Sequence, residues 1–291
     1  MAGKFSRSLA LAQASWSVVR ADKELLLLPF MSVLALLLLI GSFVVPAAAL
    51  GAFSPASAGG EPGPALMLGT LVFYVLGYFI AIFFNTALVG AAMARMDGGN
   101  PTLGDGLAIA WSRAGRILGY AVIAATVGLL LRAVEERVGW VGQLVVKVIG
   151  VAWTVATFLV VPVLVTRDVG PIDAVKESAS LLRETWGENL IGTTGLAIVF
   201  GGAYIAVLLA GGAGVLLAGG AGVFVGVRGG LPVLAIASVV LGVVALVVLS
   251  ALQATMQGVY SAALYRYATN PAQPIQGFNP DLMQLAFQPK G

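Results

Sequence analysis

Histidine and cysteine are both missing from this chain. Their absence removes a Ser-His-Asp triad, a thiol nucleophile, any disulfide, and zinc, haem or iron–sulfur sites built from the usual ligands. Charge is scarce as well, with 10% of the 291 residues charged, against roughly a quarter in soluble domains. The 13 acids sit between or at the ends of apolar runs, so no carboxylate stands at mid-membrane depth to relay protons. The net charge of +3 is spread over segments that also carry acids, which excludes the basic footprint of a nucleic-acid partner. No cofactor is expected.

What is present is apolar. Hydrophobic residues make up 59% of the chain and its mean hydropathy is +0.98, so the natural solvent is a bilayer. Apolar runs able to cross about 30 Å of hydrocarbon, which takes about 20 residues, fall at 25–50, 65–94, 117–131, 144–166, 190–217 and 231–264. The third run is short, and Arg132 extends it by snorkelling its charge outward. Lys4 and Arg7 precede the first run in the manner of a signal peptide. That run is too long for a signal core, and charges from Arg20 to Glu24 press against it, so it reads as a retained span.

With the N-terminus placed in the cytoplasm, all but Arg132, Arg137, Lys147 and Arg228 of the 16 lysines and arginines fall on the cytoplasmic side. The expected location is therefore a plasma membrane of the bacterial inner-membrane kind, multi-pass, with both termini cytoplasmic.

The runs are punctuated in a repeating way. Arg95 is followed by Pro101, Arg167 by Pro171 and Arg266 by Pro271. Segments 4–20, 102–115 and 171–187 read as helices with an apolar stripe, as in Phe5, Leu9, Ala12, Trp16 and Val19, or Ile172, Val175, Ala179, Leu182 and Trp186. Thr102 stands three residues before Asp105 as in a capping box, and Pro171 with Asp173 suits a first helical turn. Such helices are too charged to span and too apolar on one face to float free, so they are expected in the cytoplasmic interface with Trp16, Trp111 and Trp186 at headgroup level. The expected fold is all-α and integral to the membrane: one domain, 1–291, of six transmembrane helices in three hairpin repeats. Each hairpin is preceded by an amphipathic interface helix, and a tail follows over 270–291. Pro271, Pro274, Pro280 and Pro289 give that tail little regular structure, so the bundle or a partner is expected to hold it.

The unit of a tryptophan-bearing amphipathic helix followed by a hairpin is carried by the opening Trp16 to Pro29 and by Asp173-Ala174-Val175-Lys176-Glu177-Ser178 through Trp186. It resembles bacterial six-span proteins related to the YciC family and the membrane domain fused to some glycerophosphodiester phosphodiesterases. That resemblance implies an integral-membrane role. The soluble phosphodiesterase domain is absent, so its activity is not implied.

Three sets of residues are candidates for function. Arg95, Arg167 and Arg266, with Trp16, Trp111 and Trp186, are placed to meet lipid headgroups or to anchor the positive-inside face. Asn85, Thr86, Thr154, Thr157, Gln253 and Gln257 fall inside spans, Asn85 and Thr157 at matching offsets from their joint arginines. They read as a shared polar layer that either joins helices or lines a solute path. The row Gly202, Ala206, Ala210, Gly214, Ala218, Gly222 and Gly226 repeats small residues at every fourth position, which lets helix backbones approach closely. The glycines of 211–230 also permit a flexible gate. The function expected is a non-enzymatic membrane scaffold or accessory subunit whose partners are lipid and another protein or a second copy. The alternative is a channel or facilitator for a small neutral or lipid-like solute.

Overall fold

The computed structural model describes the backbone of residues 4–49, 63–186, 192–224 and 232–270, with Ile275 and Phe278. Of the described residues 89% are helical and none is in a strand. In chain order the helices are α1 (Lys4–Ala21), α2 (Leu27–Ala49), α3 (Pro64–Met96), α4 (Leu103–Ser112) and α5 (Ala114–Glu135). They continue as α6 (Trp140–Ala156), α7 (Val160–Thr166), α8 (Pro171–Trp186), α9 (Gly192–Phe224) and α10 (Pro232–Thr269), and a single 3-10 turn (Lys23–Leu26) links α1 to α2. Six stretches are long and apolar enough to cross a membrane: Lys23–Ala49, Leu66–Met96, Ala114–Glu135, Trp140–Thr166, Phe200–Leu217 and Ala235–Thr269. The architecture is compatible with a multi-pass membrane protein.

Helix boundaries follow local chemistry. Pro64 takes the first position of α3, where its missing N–H costs nothing. At the other end Gly98 has φ of +86°, its N–H donates to the Arg95 carbonyl, and the Gly99 N–H donates to Ala94. This is the Schellman closure, which needs a left-handed residue and so a glycine. Thr102 and Asp105 then start α4 with a reciprocal capping box.

One span departs from the sequence reading. The fourth was expected to run unbroken over 144–166, but it is split into α6 and α7 by a turn at Thr157–Leu159. Pro162 is the cause. A proline lacks the N–H that would bond four residues back, and its ring collides with that carbonyl, here the one of Phe158. The turn closes instead by tighter bonds, Phe158 N–H to Val155 and Val160 N–H to Thr157. Ser178 of α8 fills the gap that is left: its Oγ accepts from the Leu159 N–H at 3.0 Å and donates to the Ala156 carbonyl at 2.7 Å. Ser178 is fully buried, so one hydroxyl satisfies two of the backbone groups released by the break.

The buried core gathers at one end of the bundle. It joins Leu88, Val89 and Met93 of α3 to Val259, Leu264 and Tyr265 of α10 and to Val160, Val163 and Leu164 of α7. The shorter helices are built into it through Val18 and Val19 of α1, Ala110 of α4, and Ala174 and Leu182 of α8. Phe278 is buried in the same core with Ile275 packed against it, so part of the tail docks on the bundle itself. Toward the opposite end the helices expose their large side chains, among them Leu38, Val45, Leu68, Leu130, Leu209 and Leu241.

The plugged break yields a test. Ser178→Ala strands a buried N–H and a buried carbonyl, a loss of about 1–3 kcal/mol, and lowers the melting temperature in detergent. Pro162→Ala restores the missing donor and lets the span close, so Ser178→Ala costs less in that background. Equal losses in the two backgrounds, measured by a double-mutant cycle, would show that the serine does not serve the break.

Candidate functional site

The three joint arginines lie at the core end, and each already engages protein. Arg95 donates from Nη1 to the Gly99 carbonyl at 3.2 Å and to Asn100 Oδ1 at 2.8 Å, and from Nη2 to the Ala21 carbonyl at 3.5 Å. Arg167 meets Glu177 at 3.3 Å and donates to the Tyr265 hydroxyl, which also bonds Thr166 Oγ1 at 2.7 Å. The Tyr265 hydroxyl and, more weakly, Glu177 hold the Arg167 guanidinium above its ordinary pKa. Arg266 forms a forked pair with Asp97, both nitrogens on both oxygens, across 169 positions of sequence. That fork requires the planar guanidinium, whose two nitrogens match the two carboxylate oxygens.

Further links stitch the same layer together. Glu24 accepts from the Leu103 N–H at 2.9 Å, supplying the open N-terminus of α4 with an acceptor from the 3-10 turn. Arg113 and Arg116, on either side of the start of α5, converge on Asp168. In α4 the Thr102 backbone and hydroxyl keep the Asp105 carboxyl below the usual carboxylate range. The joints therefore interlock the chain's successive segments, and the arginines' first partners are within the chain.

The polar residues of the spans divide. Thr86 bonds the Ile82 carbonyl, Thr154 that of Gly150, and Thr157 that of Trp153, each four residues back in its own helix. These hydroxyls are satisfied locally, as side chains in an apolar medium must be. Asn85 is different: it stands exposed on α3, its Oδ1 close to Gly258 of α10. It lines a groove of about 250 Å³ with Ser32 and Val33 of α2 and Ser250 and Ala254 of α10. Gln257 is exposed on α10 and Gln253 is half-buried, but neither lines that groove.

Trp111 is 72% exposed and meets Phe83 edge-on, and Trp16 is 39% exposed. Trp186 closes α8, with its side chain outside the described ones. In α9 the helix continues unbroken through the glycines as far as Phe224, so within the described residues no re-entrant turn interrupts it. Gly202, Ala206 and Ala210 are exposed; a Cβ added to Gly202 would meet nothing within 4 Å, whereas one on Gly214 would meet Ser238 of α10. The side chains of Ala218 and Gly222 and the whole of Gly226 lie outside the described residues.

The small-residue row did not point to three further close contacts between helices. A Cβ on Gly258 would sit 2.6 Å from Leu88, one on Gly90 2.8 Å from Ile109, and one on Gly106 3.0 Å from the Ala87 carbonyl. These glycines are isolated rather than serial, so no repeat advertises them.

Residues 65–274 match the model of a family described as Family of unknown function (DUF6159). The chain belongs to that family. The DUF6159 match opens within α3, covers every later helix and reaches the four residues after Asn270, leaving α1, the 3-10 turn and α2 outside it. No curated protein and no solved structure matches the chain.

The glycines predict opposite outcomes. Gly258→Ala overpacks a fully buried contact and costs about 1–3 kcal/mol, whereas Gly212→Ala has nothing within 4 Å and gains helix propensity. Melting curves in detergent should fall for the first and hold or rise for the second. The reverse order would place the tight seam on the glycine tract of α9.

Proposed function

We propose that this chain is a non-enzymatic membrane scaffold or accessory subunit. It is inserted as three helical hairpins with both termini in the cytoplasm, and α1, α4 and α8 lie in the cytoplasmic interface. The observation that carries the reading is the contrast between the two ends of the bundle. The most apolar stretch of Leu66–Met96 has none of its residues buried, and those of Phe200–Leu217 and Ala235–Thr269 have 6% buried. Helices this uncovered present long apolar faces to lipid or to another chain, while the interlocked core end keeps them in register. In a bilayer helix faces recruit partners by fit rather than by the hydrophobic effect, and the exposed Gly202, Ala206 and Ala210 suit a closely approaching backbone. Exposed Trp16 and Trp111 support placement of the short helices at headgroup level. The channel reading finds less support, because the groove that touches Asn85 lies on the flank of α3 and does not reach Gln257.

The absence of cysteine makes both parts testable with single introduced thiols. For orientation, Gly139→Cys should react with an impermeant reagent outside intact cells and Ser180→Cys should not; labelling of Ser180→Cys from outside overturns the topology. For the scaffold role, Gly202→Cys or Ala206→Cys should cross-link to a protein in native membranes with a bifunctional thiol reagent. Recovery of the chain only as an uncross-linked monomer, in membranes and after mild extraction alike, would count against it.

A further inference from the structure

Away from the core, at the far end of the bundle, α5 and α6 part around a cavity of about 600 Å³. Gly128 and Gly150 contribute no side chain to its wall, and Arg132, Glu135, Glu136 and Lys147 line it. None of these four belongs to the joints described above.

Lys147 is the telling residue. It stands seven positions after Trp140, the first residue of α6, which places its backbone about 10 Å down the helix at 1.5 Å per residue. Ionisable groups set into a span face cavities and carry function more often than packing. Its Nζ lies 3.9 Å from Glu135 Oε1, an ion pair too long for a hydrogen bond. Arg132 donates from Nε to Glu136 at 3.0 Å, and its Nη1 is steadied at 3.0 Å by the Tyr74 hydroxyl of α3. An ammonium has three donors, a guanidinium five, and a carboxylate about four acceptor sites, so these few bonds leave capacity of both signs turned toward one cavity.

Arg132 and Glu136 close on each other, but Lys147 and Glu135 do not, and all four side chains stay 40–66% exposed to the cleft and its mouth. The cleft thus offers two cations and two carboxylates to a ligand carrying a phosphate and a primary ammonium side by side. Its flanks are hydrocarbon, with Leu130, Leu144, Val148 and Val151 all exposed. A ligand with acyl chains suits such flanks; a free solute does not use them.

We propose that this cleft holds the headgroup of a phospholipid with a primary ammonium, its phosphate against Arg132 and Lys147 and its ammonium against Glu135 and Glu136. The assignment goes beyond the scaffold reading and stands without it, since it requires only that α5 and α6 are embedded in a bilayer.

The test uses the full chain in detergent, with native mass spectrometry against phosphatidylethanolamine, phosphatidylcholine and phosphatidylglycerol of identical acyl chains. Phosphatidylethanolamine should be retained about tenfold over both others, the size of one charge-assisted hydrogen bond. Glu135→Gln should erase that preference, Lys147→Gln, which removes a phosphate contact common to all three lipids, should lower retention of all three with the preference kept, and Arg137→Gln, outside the cleft, should change neither. Because the two cleft variants remove opposite charges, a uniform loss of all three lipids in Glu135→Gln as well would mark general damage to packing and overturn the assignment. Equal retention of the three lipids by the parent would overturn it, as would a preference that survives Glu135→Gln. Soluble glycerophosphoethanolamine should not displace the bound lipid; if it does, the cleft is a site for a water-borne solute and the lipid assignment fails.

Discussion

The close approach of other helices to α3 is the constraint on which the rest of the fold depends. This one helix packs against α1, α2, α4, α5, α7 and α10. Lipid tails are as apolar as leucine, so association within a bilayer rests on van der Waals fit, and fit between cylinders requires small residues where they touch. On α3 these are Ala87, Gly90, Ala91 and Ala92, all buried; Gly90 faces Ile109 of α4, and Ala87 and Ala91 face Gly106. On α10 the matching position is Gly258, seated against Leu88. Larger side chains there would move the helices apart, and with them the joints at their ends.

A second requirement shapes the same region. Backbone groups released inside a membrane need partners from protein, since water is not at hand. Pro162 breaks the fourth span and Ser178 repairs it from α8, so a short helix outside the span becomes part of the span's own hydrogen bonding. The joint residues act alike: Glu24 supplies α4, Arg95 reaches the end of α1, and Arg266 reaches Asp97. Exposed ion pairs contribute little individually. Here they fix register, because each ties segments far apart in sequence.

Stability and function therefore separate along the bundle. The core end is interlocked by small-residue packing and polar joints. The far end carries long exposed apolar helices and, between α5 and α6, a charged cleft. The proposed scaffold role would use this division, one end holding shape while the other is left open to lipid or a partner.

The helical class and the six membrane-length stretches were legible in sequence, because length and apolar content are local properties set by bilayer thickness. The capping box at Thr102 and Asp105 was legible for the same reason: both partners lie within one turn. The break at Thr157–Leu159 had a visible cause in Pro162, yet proline in a span is tolerated whenever something re-satisfies the backbone, and that something is Ser178, 16 positions on. The arginine joints were visible as a pattern and read as lipid contacts or positive-inside anchors; their protein partners depend on which helix ends meet, and Asp97 lies 169 positions from Arg266. Asn85 was singled out as part of a polar layer, but only packing turned it toward a groove while the threonines bonded back to their own helices. Among the described residues the serial glycines of α9 hold one close contact, Gly214 against Ser238 of α10, and solitary Gly90, Gly106 and Gly258 hold others that no repeat marked. By itself the sequence determined which segments are helices able to span a bilayer, since that follows from each segment's own composition. Only the tertiary structure decided which faces touch, because in a membrane that choice rests on shape complementarity between distant segments, and no single segment carries it.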